Sequence, residues 1–182
     1  MKEKFIELLL STEREGINDL INWLENGTDF FTAPASTKYH LAYEGGLLEH
    51  SLNVYEELKK ELNSDLNSSA IIVSLLHDVC KANYYLKGFK SQKNQDGVWE
   101  QIPYYTTNDT LPLGHGEKSV ILIQRYIKLT DEEIMAIRFH MGGFESKDNY
   151  RYLNGAFNKC SLAVELHIAD LKATYFRENE FL

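Results

Sequence analysis

Between Ala70 and Lys81 the chain reads AIIVSLLHDVCK, and this stretch limits the possible folds more than any other. An apolar run suited to a buried helix passes, with no turn signal, into a histidine, an aspartate, a cysteine and a lysine. Burying His77 beside Asp78 costs several kcal/mol unless the two are paired or bound to a metal. A fold that accepts this stretch must enclose polar groups in its core and give them a partner.

The rest of the sequence supplies the helices for such a core. Phe5-Ile6-Leu8-Leu9 and then Ile17-Leu20-Ile21-Trp23-Leu24 space apolar residues by three and four, predicting two short N-terminal helices. Asn26-Gly27 stops the second, and Phe30 to Gly46, with Pro34 and a Gly-Gly pair, reads as irregular. Leu47 to Leu62 predicts a helix with Leu48, Leu52, Tyr55 and Leu58 as its apolar stripe. Asn67-Ser68-Ser69 offers caps for a helix from about Ser69 to Tyr84. Residues 85–107 break the helical period and read as two strands joined through a turn containing Asp96-Gly97. Further helices are expected over about Gly116–Ile127, from a capping box at Thr130–Glu133 to near Met141, and over about Ala156–Phe176, after a loop that ends near Leu153. The expected fold is all-α, a helical bundle with a small inserted β-hairpin over about residues 85–107.

Length and composition fit one domain over 1–182, at 43% hydrophobic and 25% charged, with the helices of 1–29 packing on its core. The net charge of −8 argues against broad binding to duplex nucleic acid but leaves room for a small anionic substrate. Cys80 and Cys160 make no disulfide framework, no leader-like segment precedes them, and no apolar run approaches the ~20 residues of a bilayer span. A cytoplasmic setting, without a membrane partner, is the expectation.

Six histidines carry the functional reading. His50, His77, His140 and His167 fall on predicted helices, His115 stands at the mouth of another, and Asp170 lies one turn after His167. Neutral imidazole and carboxylate are the usual ligands of borderline divalent metals. Adjacent ligands on one helix diverge by about 100°, so a metal shared by His77 and Asp78 must sit at the seam between helices. Lys81, three residues on, shares a face with Asp78 and can hold a phosphate oxygen. His40, in a Pro-containing loop ahead of the first histidine helix, is a candidate substrate contact. Tyr84, Tyr85, Tyr104 and Tyr105 are read as packing rather than as a base-stacking wall, and Gly142-Gly143 as a helix end.

The segments EGGLLEHS (44–51), LLHDVCK (75–81), LGHGEKS (113–119), IRFHMGG (137–143) and HIADLKA (167–173) together resemble the HD-domain superfamily of metal-dependent phosphohydrolases. The likeness covers roughly residues 30–176 with the motifs in the family's order. It implies metal ligands at His50, His77, Asp78 and Asp170, with His115 and His140 added as in the dinuclear branch, where Asp78 would bridge two ions. Two divalent cations (Mn, Fe, Zn, Ni or Mg) are the implied cofactors. Asp78 and Lys81 are the implied catalytic residues, with Lys81 and His40 toward substrate and His167 outside the ligand set.

The implied reaction is hydrolysis of a phosphomonoester or phosphodiester in a nucleotide or short single-stranded oligonucleotide. The region around GGLLEHS also resembles the HD domain of bacterial 3′-to-5′ exoribonucleases. The chain has no GxSxG elbow, P-loop or CxxC pair, and a two-metal hydrolysis needs none. The same ligand order occurs in di-iron oxygenases such as myo-inositol oxygenase, and a nucleotide-binding regulatory module is a third alternative. Cys80 stands where the phosphohydrolase motif often has glycine, and is expected to be a packed thiol rather than a ligand.

Overall fold

The structure is a computed structural model that describes residues 1–62 and 65–178. Among these residues the helices are α1 (Lys2–Leu10), α2 (Ile17–Asn26), α3 (Gly46–Leu62), α4 (Ser68–Leu76), α5 (His115–Ile123), α6 (Asp131–Phe139), α7 (Tyr150–Lys159) and α8 (Ser161–Lys172). Strands β1 (Tyr85–Lys93) and β2 (Trp99–Thr107) pair antiparallel as one hairpin, so the fold is the expected helical bundle with a small β insertion. None of the described helices is long and apolar enough to cross a membrane.

The apolar stripes become one buried cluster. Phe5 and Leu9 of α1 and Leu20 and Leu24 of α2 join Leu47, Val54 and Leu58 of α3, Ile72, Leu75 and Leu76 of α4, and Leu166 and Ala169 of α8. Each such leucine or isoleucine contributes about 1.5–3 kcal/mol by leaving water. α3 packs on α4 and α8, while α6 packs on α5 and α8, so these helices surround a common seam. The caps read from the sequence are in place. Asn67 Oδ1 accepts from Ala70 N at 2.9 Å, and Thr130 and Glu133 form a reciprocal capping box at the start of α6.

Several boundaries differ from expectation, α5 for instance ending at Ile123 rather than near Ile127. The helix expected to run to Tyr84 stops at Leu76; His77 caps it, Asp78 leaves helical geometry (φ −102, ψ 15), and a 3₁₀ turn covers Val79–Lys81. A continuing helix would splay His77 and Asp78 apart by about 100°; the break lets both be buried, at 0% and 2% exposure. The single helix expected over Ala156–Phe176 is two, separated by Cys160 in extended geometry (φ −134, ψ 101). α7 buries only Leu153 and Ala156, whereas α8 packs against both α3 and α6, and the break lets the chain serve both placements. α7 also begins at Tyr150, inside the expected loop, and α6 ends at Phe139, before Met141.

A candidate metal centre

The chain brings all six sequence-derived ligand candidates to the seam between α3, α4, α5, α6 and α8. His50 lies just beyond the first turn of α3, whose start is fixed by two glycines. Gly45 adopts φ +86, and a Cβ on Gly46 would overlap the Leu41 carbonyl, so only glycine lets the helix begin so close to the preceding loop. His77 and Asp78 end α4, His115 begins α5, His140 caps the end of α6 and Asp170 lies on α8. Their side chains form overlapping groups: His50, His77 and Asp170; His77, Asp78 and His140; and Asp78 with His115 and Cys80.

The hydrogen bonds behind the rings decide what the rings present in front. His77 Nδ1 donates to Ser74 O at 3.0 Å and His140 Nδ1 donates to Ile137 O at 2.7 Å. His50 Nδ1 faces both oxygens of Glu178, at 3.0 and 3.1 Å, and Asn53 Nδ2 holds Oε1 of that carboxylate at 2.9 Å. A carbonyl or carboxylate only accepts, so each Nδ1 carries the hydrogen, and in the neutral ring each Nε2 turns a lone pair inward.

What those lone pairs meet is other acceptors. His50 Nε2 lies 3.3 Å from His77 Nε2 and 3.3 Å from Asp170 Oδ1. His140 Nε2 is buried with no hydrogen-bond partner, 3.6 Å from Asp78 Oδ1. Acceptors facing acceptors in a dry core are unfavourable unless a cation stands among them. Imidazole nitrogens with carboxylate oxygens suit Zn²⁺, Mn²⁺ or Fe²⁺, so the residues present fit a metal centre.

The electrostatics of the chain without metal point the same way. Burial pulls His50 down, but Asp170 and Glu178 outweigh it and hold the imidazolium up at about 10, so a proton occupies the cluster. His77 is pushed down to about 3 by burial. Burial also pulls on His115, yet Cys80 and Asp78 raise it to about 10. Asp78 is held well below the carboxylate range despite burial, by Lys81 and the neighbouring histidines, and Asp170 likewise by His50.

Asp78 divides its two oxygens. Oδ1 faces His115 Nε2 at 2.6 Å and His140 Nε2 at 3.6 Å. Oδ2 faces His50 Nε2 at 3.5 Å and His77 Nε2 at 3.7 Å, and takes the Lys81 ammonium at 2.6 Å. Lys81 thus points into the cluster rather than toward solvent.

The remaining histidines flank this group. The His40 ring is tilted 44° to that of His50 with centroids 5.1 Å apart, and burial lowers its pKa to about 4. His167 stands behind the end of α6, with Nδ1 on His140 O at 2.7 Å, outside the cluster. Cys80 is buried, as a packed thiol would be, but its Sγ lies 3.4 Å from His115 Nδ1. Sequence reasoning did not find Glu178. It follows a wide turn over Ala173–Arg177, beyond the expected end of the last helix, and no spacing pattern ties it to His50.

No family model matches the chain, and no solved structure matches it. Among curated proteins, dihydroneopterin 2′,3′-cyclic phosphate phosphodiesterase of Methanocaldococcus jannaschii is 32% identical over 115 residues. That match takes in 58% of this chain and 41% of the archaeal protein, so the chain spans less than half the length of the relative it resembles.

Proposed function

We propose that this chain is a metal-dependent phosphohydrolase of the HD type, acting on a phosphomonoester or phosphodiester of a nucleotide-like substrate through two divalent cations. The observation that carries this reading is Asp78, whose two oxygens face two separate sets of inward-turned imidazoles. The archaeal relative, named for cleaving a cyclic phosphodiester, supports the same reaction class. The domain is read as one unit over 1–182, with α1 and α2 part of it; residues 179–182 lie outside the described residues.

His50, His77, Asp170 and Asp78 Oδ2 would hold one cation, and His115, His140 and Asp78 Oδ1 the other. Bound there, the cations supply charge neutralisation at the phosphate and activation of water near neutral pH. The chain's own residues do the positioning. The Ser74 and Ile137 carbonyls and the Glu178 carboxylate lock three rings with Nε2 inward. Lys81 stays charged, because Asp78 raises its pKa against the pull of burial, and its ammonium, beside Asp78 Oδ2, would hold a non-bridging phosphate oxygen. His40, its ring beside that of His50, would be a substrate contact in this reading.

The test is metal analysis of protein purified without chelators, followed by a phosphoester panel that includes nucleoside 2′,3′-cyclic phosphates. The expected result is two cations per chain and metal-dependent hydrolysis. Protein loaded with both cations yet silent across the panel overturns the reading, and oxygen uptake by the iron form with polyols would replace it with an oxygenase.

Two positioning residues give sharper checks. Glu178→Ala should weaken metal binding about 10- to 100-fold, the usual loss when a ligand's orienting partner is removed. Glu178→Gln keeps an acceptor for His50 Nδ1 and should retain most of the affinity, as read by competition with a chromogenic chelator. Equal loss in both variants would mean that the charge, not the orientation, matters. Cys80 occupies for His115 the place that backbone carbonyls fill for His77 and His140 and the Glu178 carboxylate for His50. Cys80→Ala should therefore weaken one of the two cations and spare the other, whereas Cys80→Ser, which still accepts, should keep both.

A further inference from the structure

The β1–β2 hairpin has no evident structural task. Two strands alone are marginally stable in water, yet this pair stands off the bundle, tied at its base by Tyr85 Oη donating to Ala35 O at 3.3 Å and by Lys87 with Glu44 at 3.1 Å. Four tyrosines were expected to pack. Tyr84, Tyr85 and Tyr105 are half-buried, the first two edge-to-face at 5.0 Å, but Tyr104 is 41% exposed, and the strands' Phe89 and Trp99 are 62% and 65% exposed. Large apolar groups held in water on a projecting element mark a contact surface.

The register sorts these residues by face. Tyr85 pairs with Thr107, Lys87 with Tyr105, Phe89 with Pro103 and Lys93 with Trp99, and residues two apart share a side. One face therefore carries Tyr85, Lys87, Phe89, Lys93, Trp99 and Tyr105; its strands contribute no carboxylate, and Glu44 of the bundle meets it only at Lys87, in a chain of net charge −8. Lysine and aromatic adjoin at both levels: Lys87 Nζ is 6.0 Å from the Phe89 ring centroid and Lys93 Nζ 5.3 Å from that of Trp99.

The same face begins on the cluster's own chain segment: Tyr85, the first residue of β1, follows Lys81 by four positions and is held against the bundle through Ala35 O. From the Lys87–Tyr105 rung to the Lys93–Trp99 rung is about 20 Å at the usual strand rise.

We propose that this face is a stacking platform for a short single-stranded nucleic acid, leading from the cluster outward along the hairpin. Alternating rings and ammonium groups match a ligand that alternates bases and phosphates. A face whose strands carry no carboxylate and whose outer lysine, Lys93, stands beside Trp99, on an otherwise acidic protein, selects that polyanion locally while the rest of the surface repels a duplex. The proposal rests on the phosphohydrolase reading only for what happens to a phosphate once it reaches Asp78; the binding stands by itself.

The experiment uses the full chain with fluorescein-labelled eight-nucleotide dT and U oligomers at low salt, read by anisotropy and by quenching of Trp99. The bundle does not depend on the tip of the hairpin, so Phe89→Ala/Trp99→Ala should stay folded by circular dichroism. It should bind at least about thirtyfold more weakly, since each stacked base is worth about fivefold or more and two rings are lost. Lys87→Ala/Lys93→Ala should weaken binding and flatten its salt dependence. Hydrolysis of bis-p-nitrophenyl phosphate, too small to reach the tip, should be unchanged in both variants. If that hydrolysis is absent while oligomers bind through Phe89 and Trp99, the catalytic reading fails and the platform stands. Wild-type protein that binds neither oligomer overturns the platform, as does binding indifferent to the double aromatic change. Self-association that the same change abolishes would also overturn it, assigning the face to a second copy of the chain.

Discussion

Asp78→Asn is expected to lower turnover by at least about a thousandfold and to leave fewer than two cations per chain. The carboxylate faces both imidazole sets, so losing its charge removes an anionic donor from each at once. Several kcal/mol of transition-state stabilisation depend on the cations it would hold, which is the size of that rate loss. Asparagine preserves the shape and a single acceptor, so the bundle should remain folded, and near-native circular dichroism would show that the loss is chemical. Asp78→Ala should go further, because it also strands the Lys81 ammonium, paired at 2.6 Å and only 15% exposed at its side chain. Elemental analysis of the purified variants reads the outcome, and retention of two cations by Asp78→Asn would exclude a shared carboxylate.

The largest effect on stability is expected at Glu133, far from the chemistry. Its side chain is fully buried and accepts two hydrogen bonds from Arg14, Nη2 to Oε1 at 2.6 Å and Nη1 to Oε2 at 3.1 Å. The same carboxylate accepts from Thr130 N at 2.8 Å in the capping box of α6. Arg14 in turn donates to Lys128 O and Ser68 Oγ, so one pair joins the α1–α2 connection to the starts of α4 and α6. Removing one partner of a buried pair costs about 3–5 kcal/mol, and Glu133→Ala should lower the melting temperature by about 10 °C. Burial alone would raise the Glu133 pKa, but Arg14 and Thr130 bring it below the ordinary 4.5. A lowered carboxylate contributes stability above its unfolded-state value and loses it as pH falls through the folded-state value. Wild-type protein should therefore lose this increment progressively below about pH 4.5, and Glu133→Gln should show a shallower acid limb in denaturant titrations. Equal acid limbs would place the titration elsewhere.

Much of this was written locally in the sequence. The three-four spacing that gave α1 to α3, the Thr130–Glu133 box and the Asp96-Gly97 turn all act over a few residues, and the structure keeps each one. The six candidate ligands were legible as a set, through the order of their motifs and its likeness to the HD-domain superfamily, rather than from any one residue. What escaped was set by tertiary geometry. α4 ends at Leu76 because two neighbouring side chains must aim inward together, and Cys160 interrupts a helical run that contains no Gly or Pro at that point. Glu178 was invisible because its partner is His50, and nothing in the residues beside it announces a carboxylate that must be buried. Tyr104 was read as packing because strand aromatics usually pack, but no second layer among the described residues covers the outer part of this hairpin.

The pairing of His50 with Glu178 also sets an order of assembly. The two are separated by 128 positions, and closing a loop of that length costs about 4 kcal/mol in chain entropy before any contact repays it. The bundle helices can pack on nearer neighbours first, so the ring of His50 is fixed only when the segment beyond α8 has arrived. A chain emerging from the ribosome therefore displays its histidines before the ring of His50 is fixed. On the proposed two-cation reading, metal selection would be deferred to the finished fold, where the geometry of the seam, rather than the first ion met during synthesis, would decide what is bound.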